Sequence, residues 1–407
     1  MNKRSFLLLT FLVLMLSIGA CTSPSQNGTE PASSEDQVAT IVAGTMQALT
    51  PVVSDSPTGQ PAPAGILPHS FYYLGNDNAG LKQVFRKERD GSTTRQVTYE
   101  PTNVESYDVS LADGSVAYVS NNQLLWVDIN GSGRRLLVDG GGLDVNNPFL
   151  NNITHPVFSP NGETIAYGYQ GLNFYAIATG VSNRVLENDI DDLGNNLLVP
   201  RELYWPEKYS PDGTKLLITL GYYEGASAAI YYPNGSALVR LKDDEGALIC
   251  CDRTRWSADG SSFYSASPAT GMFNAGLWRV DAADGQVTTL FTSNFETNMF
   301  NYADEPYLAA DGQLYYFFLN TNIELNTRTP LQLVRSESDG VTGRTVLRSD
   351  TFELMNEALW APDASFVIVA FAPTQDVYFG GQAEVTYLDG SPSVILTTFA
   401  QNIKWGP

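Results

Sequence analysis

Short apolar runs separated by turn residues dominate the chain from Phe71 onward, and a polar signature recurs between them. Its clearest copies are Phe158-Ser159-Pro160-Asn161-Gly162, Tyr209-Ser210-Pro211-Asp212-Gly213 and Trp256-Ser257-Ala258-Asp259-Gly260. Weaker copies are Leu308-Ala309-Ala310-Asp311-Gly312 and Trp360-Ala361-Pro362-Asp363-Ala364, and Ser110-Leu111-Ala112-Asp113-Gly114 lacks the aromatic residue. Each precedes a strand-like run such as Thr164 to Tyr169, Lys215 to Leu220 or Phe366 to Phe371. Asp-Gly and Asn-Gly pairs supply the positive φ that tight hairpins need. A second set of turns follows, at Asp90-Gly91, Asn130-Gly131, Thr179-Gly180, Asn234-Gly235, Asp284-Gly285, Asp339-Gly340 and Asp389-Gly390. The pattern predicts repeated units of about fifty residues, each with four antiparallel strands, A to D.

There is one more second turn than first turn. The unit at Phe71 begins at its second strand, while Asn402-Ile403-Lys404-Trp405 reads as an A strand with nothing after it. Joining the two ends completes a seventh unit and shields edge strands that would otherwise be open to aggregation. The signatures resemble the TolB-type (WD40-like) β-propeller repeat, aromatic-Ser-Pro-Asp-Gly followed by a strand. The resemblance spans essentially all of residues 66–407 and implies an all-β chain with a single propeller of four-stranded antiparallel blades. Seven blades fit the count; six, the number in the best-known relatives, is the alternative and leaves a hairpin pair unplaced.

In such a unit the A–B and C–D turns share one face, and the B–C and D–A connections share the other. The first set is tight. The second is long and expected to be irregular, at Asp139 to Ile153, Glu187 to Glu202, Lys242 to Asp252, Ser267 to Gly276, Asn320 to Pro330 and Ala372 to Ala383. Loops longer than a hairpin needs are where binding residues concentrate, so ligand binding is expected on this face. Counting back from each signature gives one column: Tyr107, His155, Pro206, Arg253, Glu305, Glu357 and Asn402. These residues are expected to ring the channel mouth, where Tyr107, His155, Arg253, Glu305, Glu357 and Asn402 would suit a polar ligand or a partner's loop. The alternative is that they hydrogen-bond neighbouring blades. The Trp256, Trp360 and Trp405 column reads as core between blades.

Recognisable catalytic chemistry is sparse. His69 and His155 are the two histidines and lie far apart, so no two-histidine zinc motif exists, and no metal or cofactor is expected. Nucleophile-elbow and phosphate-loop motifs are missing too. Paired carboxylates such as Glu305 and Glu357 leave a hydrolase or lyase as an alternative, because such pairs can split acid and base roles. The acidic run Asn188-Asp189-Ile190-Asp191-Asp192 with Asn195 lacks calcium-loop spacing and reads as a solvated loop. Cys250 and Cys251 are adjacent, and a vicinal disulfide, two free thiols and an intermolecular bridge are all open.

The N-terminus carries an address. Lys3 and Arg4 precede an apolar run from Phe6 to Ile18, too short and too near the start for an ordinary anchor. Ile18-Gly19-Ala20-Cys21 resembles the lipobox of bacterial lipoproteins, which implies a signal peptide over 1–20 and a lipidated Cys21 at the mature N-terminus. Several acyl chains make anchoring stable. Residues 21–65 are rich in Ser, Thr and Pro and read as a flexible tether. One island in it, Val38, Ile41, Val42, Met46 and Leu49, has helical spacing.

The 407 residues carry 44 acidic against 23 basic side chains, a net charge of −21, which argues against a nucleic-acid partner. The expectation is an exported protein, lipid-anchored to the cell or outer membrane and facing the periplasm or exterior. It would serve as a non-catalytic platform for a protein, peptide or envelope glycan, with a scaffold subunit of an envelope complex as a further alternative.

Overall fold

The computed structural model describes residues 65–195, 197–251, 253–325 and 328–407. Cys21, the leader and nearly all of the tether, including its helical island, lie outside them. The described part is nearly all-β and is built of the four-stranded antiparallel sheets that a propeller uses. The strands Val104–Val109, Val116–Ser120, Gln123–Val127 and Arg135–Asp139 form one such sheet. Thr154–Phe158, Thr164–Gly168, Gly171–Ala176 and Val181–Glu187 form the next. Leu198–Tyr209, Leu216–Gly221, Ala226–Tyr232 and Ala237–Arg240 follow, with Asp189–Asp192 added at the edge. Then come Thr254–Trp256, Ser262–Ser267, Gly276–Asp281 and Val287–Thr292, and after them Phe300–Leu308, Leu314–Thr321, Gln332–Ser336 and Thr345–Thr351.

The first and last described strands meet in a seven-stranded sheet. Met355–Trp360, Phe366–Phe371, Gly381–Tyr387 and the first half of Val394–Trp405 pair in order. The far half of that last strand pairs with Phe71–Asn76, placing Phe71 opposite Trp405 and Tyr72 opposite Lys404. Lys82–Lys87 and Thr94–Gln96 complete the sheet. The A strand expected at Asn402–Trp405 is therefore continuous with the strand before it, with no loop between them.

The signature has a local chemical cause. Ser210 Oγ donates to Asp212 Oδ1 at 2.5 Å and accepts from the Lys215 N–H at 3.0 Å, clamping the hairpin from within. Ser159 with Asn161 and Ser257 with Asp259 repeat the clamp. The Ser210 hydroxyl, with help from Thr214, holds the Asp212 carboxyl down at about 2. Asp212 is thus a group whose pKa is depressed on folding, and its stabilisation is present above its ordinary value of 3.8 and lost as pH falls through about 2. Asp212→Asn is expected to melt lower than the parent near neutral pH, with a deficit that narrows below about pH 4 in a thermal melt series.

Cores lie between neighbouring sheets. One cluster joins Tyr302, Phe317 and Leu333 to Trp360, Val367 and Val369 of the next sheet. Each signature tryptophan also reaches backward: Trp256 Nε1 donates to Lys208 O at 3.3 Å, Trp360 Nε1 to Glu305 O at 2.9 Å and Trp405 Nε1 to Trp360 O at 2.8 Å. Trp256 and Trp360 are buried core, as expected, and Trp405 packs partly buried against a core cluster, because an indole taken from water needs both apolar contact and a partner for its N–H.

Two expectations are corrected. The Glu187–Glu202 connection is not irregular: Asp189–Asp192 pairs with the extended start of Leu198–Tyr209, and Arg201 lies across the Asp189 and Asp191 carboxylates at 3.6 and 3.5 Å. In the Ser110 copy the turn glycine comes one residue late, since the Gly114 N–H reaches back to Ser110 O whereas Gly162 reaches Ser159 O. Val109 therefore takes the place of the aromatic residue, opposite Val116 as Phe158 is opposite Ile165. Ser106, not Tyr107, falls in line with His155 and Glu305.

Candidate functional site

The first strands of the sheets are interrupted at matching places. Register shifts fall between Val104 and Ser106, Thr154 and Val157, Pro206 and Lys208, Asp304 and Tyr307, and Met355 and Glu357. The Val394–Trp405 strand has its own opposite Tyr72 and Leu74. An extra residue at a bulge re-aims its side chain. His155, Glu305 and Asn402 sit there with φ of 50°, 48° and 53°, so the column marks a shared backbone feature. The sequence signal is proline: Pro156, Pro206 and Pro306 stand inside strands, where bulges tolerate them.

The column residues fall into three places. Arg253 and Glu305 belong to one cluster. Arg253 Nη1 meets Asp304 Oδ1 at 3.0 Å with its side chain 44% exposed, and Asp304 holds the guanidinium charged. Arg255 Nη2 meets Glu305 Oε2 at 2.6 Å and also donates to Ala358 O at 3.1 Å. Burial raises the Glu305 carboxyl to about 6, against the opposing pull of Arg255.

Tyr107, Glu357 and Asn402 form the second cluster. Tyr107 is buried, 2% exposed, and its hydroxyl donates to Asn402 O at 2.6 Å. Burial, then the nearby Glu357 and Asp108 charges, push that phenol far above its ordinary range. Glu357 Oε2 accepts from the Ile403 N–H at 3.0 Å. Lys404 Nζ pairs with Asp108 Oδ1 at 2.7 Å, and Asp108 Oδ2 accepts from the Phe158 N–H of the next sheet. Tyr107, Asp108 and Lys404 stitch neighbouring sheets together, and Glu357 braces the seven-stranded sheet across itself. Asp108 and Asp304, one residue off the expected column, and Arg255 and Lys404, two residues off it, are the partners that sequence reasoning missed.

His155 is exposed at the edge of a cleft of about 320 Å³. Phe149, Tyr169, Tyr204 and Trp205 supply its walls. Cys250 and Cys251 form a disulfide with S–S 2.16 Å. Cys250 is buried, and the Cys251 N–H donates to Glu207 Oε1 at 2.6 Å, pinning this connection to the preceding sheet. Among the described residues no group of three or more His, Cys, Asp or Glu side chains is placed to hold a metal ion. No helix among them is long and apolar enough to cross a membrane.

The long-connection face has a second character. Exposed large apolar side chains gather there: Met272 is 84% exposed, Val145 81%, Phe379 72% and Tyr223 71%, joined by Tyr99, Leu193, Phe295 and Ile323. Among the A–B and C–D turns, Leu111 and Val341 are the corresponding residues in the described structure.

No family model and no curated protein matches the chain. Among solved structures, one of two prolyl endopeptidases is 12% identical over 83% of this chain, with a TM-score of 0.51, and the chain spans about half, 49%, of that structure's length. TolB from Acinetobacter baumannii is 16% identical over 93% of this chain and 74% of its own, with a TM-score of 0.43. An oligogalacturonate lyase in complex with manganese is 10% identical over 80% of this chain and 84% of its own, at 0.49. At such identities the likeness concerns the fold alone, and the four-stranded antiparallel sheets are consistent with a propeller.

Proposed function

We propose that the chain is a membrane-anchored surface lipoprotein acting as a non-catalytic binding platform. In this reading Cys21 carries the anchor, residues 21–65 give reach, and residues 66–407 form a seven-bladed propeller closed by the pairing of Val394–Trp405 with Phe71–Asn76. The face carrying the B–C and D–A connections captures a protein or peptide partner. The observation that carries the reading is the apolar rim. Side chains such as Val145, Tyr223, Met272 and Phe379 lie on several different connections yet at one end of the sheets. Exposed large apolar side chains concentrated at one end of a domain support an interaction site, and aromatic and Met side chains are those enriched in interface cores.

The expected column contributes differently. Tyr107, Glu305 and Asn402 are engaged in contacts between sheets and Glu357 in one across the seven-stranded sheet, which supports a rigid floor beneath the rim in place of a carboxylate-based active site. A photo-cross-linking side chain at Phe379 or Met272 is expected to capture one discrete protein on intact cells, and one at Leu111 on the opposite face none. Equal labelling from both faces, or none from either, overturns the reading.

A further inference from the structure

We infer that the partner captured by the long-connection face presents a cationic amphipathic segment, an aromatic or aliphatic side chain flanked by Lys or Arg. It docks where the 222–225 turn meets the 242–252 and 267–276 connections. This rests on the face being a capture surface, and adds the partner's chemistry and the place where it lands.

These three segments form one patch. The turn and the 267–276 connection belong to neighbouring sheets and come close together: a Cβ built on Gly225 would lie 3.9 Å from Phe273 Cζ. The 242–252 connection is tied to both sides, because Ser227 Oγ donates to Asp244 Oδ2 at 3.1 Å and the Asn274 N–H donates to Gly246 O at 2.7 Å. On the other flank Thr329 Oγ1 donates to Pro268 O at 2.9 Å. Loops held before a partner arrives lose little freedom on binding. Their tips still leave apolar surface in water: Met272 is 84% exposed and Tyr223 71%, with Phe273 half-buried.

Charge names the occupant. The turn and its two connections carry Glu224, Asp243, Asp244, Glu245 and Asp252 against Lys242. Lys242 Nζ stands 3.8 Å from Asp284 Oδ2, and Arg240, two residues earlier, is held by Glu202 at 2.6 and 2.7 Å. Glu224 and Glu245 are exposed and have no ion-pair partner among the described residues. The rest of the face does not cancel them. Its six long connections hold thirteen acidic residues against three basic ones, and those three are engaged: Arg201 with Asp189 and Asp191, Lys242 with Asp284, Arg328 with Asn356. Apolar contact alone would accept any hydrophobic segment. Carboxylates beside it repel acidic segments, draw in Lys and Arg, and so select among partners. The exposed Tyr223 ring offers a face to the same cations.

The test is fluorescence anisotropy on the full chain in a non-ionic detergent, with detergent alone as the blank. The probes are labelled peptides of equal length: one alternating Lys with Leu and Phe, one with Glu for each Lys, and one with Ser for each Leu and Phe. The first is expected to bind about tenfold tighter than either of the others, and to weaken severalfold as salt rises from about 50 to 300 mM. Glu224→Gln with Glu245→Gln should weaken it about fivefold, and Tyr223→Ser with Met272→Ser about tenfold. These four side chains are exposed, so their replacement leaves the fold intact. Glu163→Gln with Glu337→Gln, exposed on the tight-turn face, should leave the affinity unchanged. No binding of the Lys peptide overturns the assignment. So does equal binding of the Glu peptide, or an equal loss from both glutamine pairs. In each of those cases a discrete cross-link from Met272 keeps the capture surface, and its absence removes that surface separately.

Discussion

A chain ending at Ala400 is expected to show no cooperative thermal transition. Removing residues 401–407 takes away the strand half that pairs with Phe71, Tyr72 and Leu74, leaving a row of backbone groups in the middle of a sheet without partners. It also removes Lys404, which pairs with Asp108, and Trp405, whose ring lies 6.4 Å from Phe71 and 6.3 Å from Phe366. Losing a large aromatic side chain from a core costs about 3–5 kcal/mol by itself. With the lost ladder and ion pair added, the total approaches the roughly 5–15 kcal/mol that holds an ordinary domain together. Circular dichroism melts and dye binding to exposed apolar surface read the outcome. A truncated chain that melts within about 2 °C of the parent would show that the terminal pairing contributes little, since even 1 kcal/mol moves a melt by a few degrees.

The second large effect lies at Arg255 and Glu305. Their side chains are 21% and 10% exposed, so the ion pair between them is mostly shielded from water. Taking one partner from a buried pair strands the other charge, at a cost of about 3 kcal/mol or more. Arg255→Met is therefore expected to be strongly destabilising, and Arg255→Met with Glu305→Gln together much less so, in urea titrations. The pH dependence follows from the raised carboxyl. Glu305 titrates near 6 in the folded protein against an ordinary 4.5, so between these values the folded state holds a proton that the unfolded chain releases. Stability from this group falls as pH rises through that window. Without Arg255 the window extends upward, and the deficit of Arg255→Met should be small near pH 5 and full by about pH 8. A deficit that is flat across that range would falsify the charge argument.

The repeat was legible because its punctuation is chemically obliged. A Ser that clamps an Asp, followed by Gly at positive φ, is the same solution at Ser210 and Ser257, and a reader can count it. The pairing of Trp405 with Phe71 followed from that count. The register of the Ser110 copy did not, because its glycine was displaced by one residue and the alignment by glycine carried Tyr107 into the wrong column. The partners of the column were equally hidden. Asp304 is adjacent to Glu305 and Arg255 lies two residues beyond Arg253, and nothing in a one-dimensional pattern says which of these side chains meets the next sheet. The cleft is the extreme case: Phe149, Tyr169 and Trp205 come from separate connections and strands and share no local spacing.

The pairing of the first and last described strands also sets an order of events. Lys82 Nζ bonds Gln401 Oε1 across 319 residues, so the strands that emerge first cannot be completed until the very last ones exist. At ordinary synthesis rates that interval is roughly 15–65 s. Throughout it, Phe71–Asn76 presents an open edge that invites mispairing. Until the tail is made, that unpaired edge is the surface a holdase would shield.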